Sequence, residues 1–239
     1  MRCALLHGFA GDPAVWGDVM AAWQLPDMPV AVALPGHGEM PVQPTWHDNL
    51  AAIAGELGDC DVAIGYSLGA RVALGLVVEG FVAHGVLIGV NPGIAELERP
   101  SRRTFDAAWA RMLRDHGIAM FISAWEAQPL FATQARAPAA RRTSRREHRL
   151  AHDPEQLARS LEVMGLAAMP DYSAALPAHR DRIALLAGAD DTKYAAIARE
   201  LPAVSFETIA NAGHDPTLEQ PIELAHAIAR AVHSLEVRA

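Results

Sequence analysis

Short runs of apolar residues recur along the chain, and most end at a glycine, a proline or a polar turn. Six such runs are visible: CALLHGF, MPVAVALPGHG, DVAIGYS, HGVLIGVNPG, RIALLAGADD and VSFETIANAGHD. Most are continuous and do not alternate strictly, which is typical of strands covered on both faces of a sheet. We therefore predict six buried strands.

Helical patterns separate several of these runs. Apolar residues at helical spacing indicate helices near 46–57, 68–78 and 194–201. A last helix is predicted over 221–235, with Pro221 suited to its first turn. Alternating strands and helices predict an α/β protein with a mostly parallel central sheet flanked by helices.

The alternation breaks between Asn91 and about Ala178. This stretch contains few strand signals and several helix-like segments, among them TFDAAWARML, GIAMFISAWEA and PEQLARSLEVMGLA. We predict a helical cap over residues 93–178, inserted after the fourth clear strand. The core domain would then comprise residues 1–92 and 179–239.

Composition excludes several classes of protein. A chain of 239 residues can bury a sizeable core, and its net charge of −8 argues against nucleic acid as a partner. No apolar run approaches the roughly 20 residues needed to cross a bilayer. Two cysteines, Cys3 and Cys60, do not make a disulfide framework. We expect a cytoplasmic protein that does not associate with membranes.

Charge is unevenly distributed along the chain. Between Arg99 and Arg149, eleven arginines stand against four acidic residues, so this segment carries +7 and the remainder −15. A solvated basic face would explain the cluster. The alternative is a basic lid over a site for an anionic substrate.

Chemically active residues follow four of the predicted strands. His7-Gly8-Phe9 comes after the first strand and Ser67, within GYSLG, after the third. The pair Asp190-Asp191 follows the fifth strand, and His214 follows the sixth. Parallel strands bring their carboxyl ends to one edge of a sheet, where ligands bind. An oxyanion loop followed by Ser, Asp and His is the chain order of the α/β-hydrolase triad.

The chemistry of a triad accounts for these residue types. A serine hydroxyl becomes an effective nucleophile or base when an imidazole accepts its proton, and a carboxylate orients that imidazole. We assign three residues to the triad: Ser67, His214 and either Asp191 or Asp190. Two backbone N–H groups would form the oxyanion hole: those of Phe9 and Leu68.

The remaining motifs point to no metal and no cofactor. His7 and His37 lie in glycine-flanked turns and are expected to order their loops. No cluster of His, Cys, Asp and Glu has metal-ligand spacing, and no nucleotide-binding glycine loop is present. We predict chemistry that uses protein groups alone.

Arg71 departs from the pattern of a plain esterase. It follows Ser67 by four residues, which places it one helical turn further on and on roughly the same face. A buried guanidinium needs a partner. That partner could be a carboxylate of the protein or a carboxylate of the substrate.

Motifs along nearly the whole chain resemble one family. They are LHGFAGDPAVW, LPGHG, GYSLGAR, NPG followed by ERPSRRTFDAAW, AWEAQPLF, GADDTKY and NAGHDPTLEQP. Together they are similar to the 2-succinyl-6-hydroxy-2,4-cyclohexadiene-1-carboxylate (SHCHC) synthases of menaquinone biosynthesis. HG, PGHG and GxSxG are generic to α/β-hydrolases, whereas the arginine of GYSLGAR and the two runs in the cap are specific.

The resemblance implies an α/β-hydrolase fold and a lyase that eliminates pyruvate from a polycarboxylated cyclohexene. It implies that Ser67, relayed by His214 and Asp191, is the base that removes a proton next to a carbonyl. The amides of Phe9 and Leu68 would then hold an enolate-like oxygen.

The resemblance also implies a set of substrate-binding residues. Three arginines match the family's ligands for substrate carboxylates: Arg71, Arg102 and Arg146. Two aromatic residues match its pocket: Tyr66 and Trp125. Glu126 stands where the family often has an aromatic residue, and it would repel a polyanion unless it points away. The cap segment leaves Arg145 and Arg142 as alternatives to Arg146.

These observations favour a pyruvate-eliminating lyase that acts on a small anionic substrate. One alternative is a serine hydrolase of an acidic substrate, either a carboxylesterase or a carbon–carbon bond hydrolase. A ligand-binding protein with an idle triad is a further alternative, which the complete set of triad and oxyanion positions disfavours. The cap arginines favour an anionic substrate, because a neutral ester does not need them.

Overall fold

Six parallel strands form one sheet in the computed structural model, which describes residues 1–237. The strands are β1 (Cys3–Leu6), β2 (Val30–Val32), β3 (Val62–Tyr66), β4 (His84–Ile88), β5 (Ile183–Gly188) and β6 (Ser205–Ile209). Their order across the sheet is β2-β1-β3-β4-β5-β6. Each strand lies within one of the six apolar runs, so the predicted sheet is confirmed.

The apolar runs are continuous because both faces of the sheet are covered. Leu5 and Ile64 point into one buried layer, whereas their neighbours Leu6 and Ala63 point into the other. All four side chains are fully buried. Successive side chains in a strand face opposite sides, so a sheet buried on both sides requires apolar residues at every position.

Ten α-helices accompany the sheet in the described part of the chain. They are α1 (Gly17–Ala21), α2 (Trp46–Leu57), α3 (Leu68–Val78), α4 (Arg99–Glu126), α5 (Ala139–Leu150), α6 (Pro154–Met164), α7 (Leu176–His179), α8 (Thr192–Glu200), α9 (Pro216–Glu219) and α10 (Pro221–Glu236). The bounds of α2 and α3 agree with the sequence prediction. None of these helices is both long and apolar enough to cross a membrane.

Helices, and no described strand, lie between β4 and β5. The long helix α4 is interrupted at Gly117, whose φ of 74° is non-helical. Helices α4 and α6 pack together around a small apolar cluster that includes Phe121 and Leu157 and also Ala10 from the loop after β1. The division into a core and a cap over 93–178 stays a prediction, and residues 238–239 of the predicted core lie outside the described residues.

The order in which the chain adds strands to the sheet reverses at β1. The chain passes from β1 to β2 on one side and then to β3 on the other, so β1 and β3 are neighbours, with Leu6 opposite Gly65. Crevices form where the loops after two such strands diverge, and open parallel sheets bind ligands there. The loop after β1 and the turn after β3 therefore meet at this point.

Candidate active site

Ser67 lies on the turn between β3 and α3. Its backbone has φ 54° and ψ −107°, a strained conformation that costs a residue with a side chain about 1–3 kcal/mol. A Cβ atom at position 65 would lie 2.0 Å from the carbonyl oxygen of Gly69, and one at position 69 would lie 2.1 Å from that of Leu6. Both glycines of GYSLG are thus required sterically for this sharp turn.

His214 joins Ser67 to a carboxylate. Its Nε2 lies 3.1 Å from Oγ of Ser67, and its Nδ1 lies 2.6 Å from Oδ2 of Asp191. The side chains of His214 and Asp191 are 2% and 3% exposed. Asp190 is exposed instead and pairs with Arg136 at 2.7 Å. The structure therefore brings Ser67, His214 and Asp191 together and leaves Asp190 at the surface.

The backbone N–H groups of Phe9 and Leu68 donate no hydrogen bond to another described residue. Leu68 opens α3, where the first N–H groups have no acceptor within the helix. The loop that contains Phe9 is tied to the same turn, because the N–H of Gly69 donates to the carbonyl of His7 at 3.0 Å. These two donors are the pair that the sequence assigns to an oxyanion hole.

Two buried histidines hold this loop. Nε2 of His37 accepts the N–H of Ala10 at 3.0 Å, and Nε2 of His7 accepts the N–H of Leu34 at 3.0 Å. Burial lowers the pKa of His7 to about 4. Burial, and then the proximity of His7, lowers the pKa of His37 well below its usual value. Both rings are neutral near pH 7, as their role as acceptors requires.

A cavity of about 230 Å³ opens above Ser67 and His214. Of the five expected substrate-binding residues, four line it: Tyr66, Arg71, Arg102 and Trp125. The ring of Tyr66 lies 5.5 Å from that of His214, and burial raises the pKa of its hydroxyl well above the usual value. Trp125 stacks on Phe121 at 5.4 Å and forms an apolar wall.

Arg71 faces the cavity without a protein carboxylate. Its Nη1 donates to the carbonyl of Met164 at 2.9 Å, and no acidic side chain of residues 1–237 forms an ion pair with it. Burial, and then the charge of Arg102, lowers the pKa of Arg71 to about 10. The guanidinium nevertheless stays protonated at neutral pH. The sequence leaves two possible partners for Arg71, a carboxylate of the protein and a carboxylate of the substrate. No carboxylate of residues 1–237 pairs with it.

Arg102 is only partly neutralised. Its Nε donates to both carboxylate oxygens of Asp106, at 2.9 and 3.0 Å. Its two Nη groups have no acceptor among the described residues. This cavity-lining guanidinium therefore keeps its other edge available.

The structure places Arg146 outside the cavity, which corrects the assignment drawn from the resemblance. Arg146 bonds to Glu126, and its Nη2 donates to Ser123 Oγ at 2.8 Å. Arg145 and Arg149 line the cavity in its place. One position along a helix rotates a side chain by about 100°, whereas positions i and i+4 share a face. Arg142 and Arg146 have the same i, i+4 spacing as Arg145 and Arg149, so the spacing alone does not identify the pair that faces the cavity.

Glu126 does not line the cavity. Its Oε1 accepts a hydrogen bond from Nη1 of Arg149 at 2.9 Å, and its other oxygen bonds to Arg146. The carboxylate therefore lies behind Arg149 as seen from the cavity and is neutralised by two arginines. The repulsion of a polyanion considered from the sequence does not arise in this arrangement.

The sequence signals did not identify every residue around the triad. Tyr194 packs on the imidazole of His214 at 4.4 Å, and Lys193, the only lysine of the chain, also lines the cavity. Both lie just after Asp191 on α8. Within residues 1–237, no group of three or more His, Cys, Asp or Glu side chains is arranged to hold a metal ion.

Comparisons with known proteins agree with this fold. A model of the alpha/beta hydrolase family matches residues 4–227. A 2-succinyl-6-hydroxy-2,4-cyclohexadiene-1-carboxylate synthase from Enterobacter sp. (strain 638) is 34% identical over 94% of this chain and 89% of its own. One from Klebsiella pneumoniae (strain 342) is 33% identical over 96% and 92%.

Solved structures show the same fold. MenH from S. aureus superposes with a TM-score of 0.91 at 27% identity, covering 99% of this chain and 94% of that one. A thermophilic esterase from Thermogutta terrifontis superposes with a TM-score of 0.78 at 24% identity, covering 98% and 90%. These likenesses confirm the α/β-hydrolase fold that the sequence predicts.

Proposed function

Because the chain belongs to the SHCHC synthase family of α/β-hydrolases, we propose that it eliminates pyruvate from a polycarboxylated cyclohexene intermediate of menaquinone biosynthesis. The relatives that carry this name match the chain over nearly its whole length. The residues around Ser67 support the same chemistry and suggest how each step is performed.

In the proposed reaction Ser67 is the general base. The imidazole of His214 accepts the proton of Ser67 Oγ as Ser67 removes a proton from the carbon next to a substrate carbonyl. Asp191 holds the imidazole in the tautomer that accepts this proton and stabilises its charged form. The proton taken from carbon thus resides on the Ser67–His214 pair.

The electron pair left by the C–H bond then forms an enolate. The N–H groups of Phe9 and Leu68 donate to its oxygen, and they are available because they have no other described acceptor. Collapse of the enolate breaks the C–O bond to the pyruvate unit, which leaves as its own enolate. The leaving group takes up the proton from His214 and becomes pyruvate, so that protons and electrons balance.

The observation that carries the proposal is the guanidinium of Arg71. It is a cation in the cavity wall, one helical turn beyond Ser67, with no protein carboxylate to neutralise it. Guanidinium groups grip carboxylates through two parallel hydrogen bonds. An anionic substrate supplies the partner that the described chain lacks.

Two further arginines complete the proposed anion site. Arg102 offers its Nη edge, and Arg149 takes the role that the resemblance suggested for Arg146. Nε of Arg149 is buried and has no hydrogen-bond partner among the described residues. Tyr66 and Trp125 form the aromatic walls between these charges. This arrangement suits a compact ring that bears several carboxylates.

Release of pyruvate tests the proposal. We expect the purified chain to release pyruvate in step with consumption of the polycarboxylated intermediate, followed by coupling to lactate dehydrogenase. The Ser67→Ala variant should release it at least about a thousandfold more slowly. Robust hydrolysis of aryl esters, with no pyruvate formed from the intermediate, would contradict the proposal.

A serine hydrolase of an acidic substrate is the second candidate. The 3.1 Å contact between Oγ of Ser67 and Nε2 of His214 suits a nucleophile as well as a base. A hydrolase would acylate Ser67, whereas the proposed elimination forms no bond to it. Intact mass measured during turnover would separate the two mechanisms.

The helices and arginines that cover Ser67 support the role of residues 93–178 as a cap. The chemistry described requires neither a metal nor a cofactor. The proposed substrate is a small anion. The proposed location is the cytoplasm, which is inferred from the sequence.

A further inference from the structure

Asp215 is a buried carboxylate directly after His214, and the mechanism does not use it. Its side chain is fully buried. Oδ1 accepts hydrogen bonds from Thr217 Oγ1 at 2.6 Å and from the N–H of Leu218 at 3.2 Å. These bonds close the turn that leads from His214 into α9. Asp215 therefore shapes the loop that carries the triad histidine.

The other carboxylate oxygen of Asp215 accepts a hydrogen bond from Arg145, a residue of α5. Nη1 of Arg145 lies 2.7 Å from Oδ2, and Nη2 of Arg145 donates to Thr217 Oγ1 at 3.0 Å. Nε2 of Gln134 makes a longer contact of 3.3 Å to the same oxygen. Arg145 thus bonds to the loop at two points and is the nearest cation to the carboxylate.

Arg149 does not substitute for Arg145. Its Nη2 lies 4.0 Å from Asp215, and its Nη1 is bonded to Glu126. The cluster therefore divides into two pairs, one between Arg145 and Asp215 and one between Arg149 and Glu126. Without Arg145, the charge of Asp215 would be buried and poorly compensated, which is strongly unfavourable.

We infer that Arg145, although it lines the cavity, is a positioning residue and not a ligand of the substrate. By neutralising Asp215 it keeps the loop of His214 in the conformation that presents Nε2 to Ser67. The inference rests on the proposed catalytic role of His214. It also explains how helix α5 is coupled to the triad.

The rate at which a neutral fluorophosphonate modifies Ser67, followed by intact mass, tests this inference. In that reaction Oγ attacks phosphorus, fluoride leaves and His214 takes the proton, so no substrate carboxylate is involved. Arg145→Leu should react about 100-fold more slowly, because a small displacement of a catalytic group costs about that much. The Asp215→Asn variant should also react slowly. The asparagine NH2 group would face the N–H donors of Arg145, and two donors cannot form a hydrogen bond with each other.

The double variant Arg145→Leu/Asp215→Asn separates positioning from other roles. Replacing both members of a buried ion pair by neutral groups often costs little, so it should react within about threefold of the wild type. Arg142→Leu is the matched control, because Arg142 is an exposed arginine of the same helix outside the cavity. Thermal unfolding identifies any variant that fails to fold. Arg145→Lys keeps the positive charge beside Asp215 and should therefore react faster than Arg145→Leu.

Three outcomes would overturn the inference. In the first, Arg145→Leu reacts at the wild-type rate while its KM for the polycarboxylated substrate rises, which would make Arg145 a substrate ligand. In the second, the double variant is as slow as Arg145→Leu. In the third, the wild type reacts no faster than Ser67→Ala, which would remove the triad as well. Normal modification without pyruvate release would instead contradict the proposed function and leave this inference standing.

Discussion

Asp191 accepts a 2.6 Å hydrogen bond from Nδ1 of His214, whereas Asp190, its neighbour in the chain, bonds to Arg136 at the surface. Two adjacent carboxylates thus have opposite environments, one nearly inaccessible and one exposed. The difference arises because Asp191 is also the N-cap of α8, where its Oδ1 accepts the N–H of Tyr194.

Substitution of each aspartate should therefore have a very different effect. Asp191→Asn should lower kcat by about 10⁴-fold, because the amide favours the wrong tautomer of His214. Asp190→Asn is the matched control, since an exposed ion pair contributes about 0–1 kcal/mol. Steady-state kinetics of both variants check the assignment, and the reverse order of effects would make it wrong.

The strain at Ser67 predicts a gain in stability when the side chain is removed. Ser67→Gly should be inactive yet more stable than Ser67→Ala by about 1 kcal/mol, because glycine adopts a positive φ without steric cost. Both variants lack the hydroxyl, so the comparison isolates the backbone. Urea unfolding of the two variants measures the difference, and equal stabilities would show that the turn is unstrained.

Neutral His7 makes folding stability depend on pH. Its pKa is lowered from 6.5 to about 4 by burial, so the unfolded chain binds the proton more tightly than the folded chain. The stabilisation from this group is complete above about pH 6.5 and is lost as the pH falls toward 4. The loss is roughly 3 kcal/mol, since each unit of pKa corresponds to about 1.36 kcal/mol.

Urea unfolding between pH 7 and pH 4 checks this dependence. His7→Asn should show a shallower decline of unfolding free energy with falling pH than the wild type. His116→Asn, which replaces an exposed histidine, should keep the wild-type slope. Identical slopes in all three proteins would remove His7 as the cause.

Activity should survive exhaustive chelation. The proposed steps use only Ser67, His214, Asp191 and backbone N–H groups, and a triad needs no metal. We expect pyruvate release to be unchanged after prolonged dialysis against EDTA. Loss of activity that a divalent ion restores would require a different mechanism.

The strands and core helices could be predicted because their signals are local. A sheet covered on both faces demands apolar residues at every position, and helix α3 begins directly after Ser67, as the GYSLG turn requires. The order of the triad residues along the chain also needed no structure. The position of the two aspartates after β5 leaves Asp190 and Asp191 open, whereas the family resemblance implies Asp191, which lies beside His214 in the structure.

The cap was predictable only in outline. The sequence shows its helical segments, and the family resemblance implies Arg146 as a substrate ligand, whereas Arg145 and Arg149 line the cavity in the structure. A shift of one position changes the face of a helix, and nothing near Arg146 in the sequence indicates which face is buried. The pairing of Arg149 with Glu126 spans 23 residues, so Glu126 could not be oriented from the sequence either.

The central claim is that Arg71 grips a carboxylate of the substrate. Removing it should leave a buried anion unpaired in the complex, at a cost of about 2–5 kcal/mol, and rising salt should weaken binding modestly because part of it rests on charge. This corresponds to a loss of roughly 30- to several-thousand-fold in kcat/KM. Of the three arginines, Arg71 alone lies on α3, the helix that begins directly after Ser67. Its substitution should therefore have a larger effect than Arg102→Ala or Arg149→Ala.

The most direct measurement is kcat/KM of the wild type and of Arg71→Ala on the polycarboxylated substrate and on a small neutral ester. Arg103→Ala, which removes an exposed arginine of α4, serves as the control and should match the wild type on both. We predict a severe loss for Arg71→Ala on the anionic substrate, with any weak ester hydrolysis nearly intact, because the triad and oxyanion donors remain. Equal losses on both substrates, or no loss on the anionic one, would contradict the account.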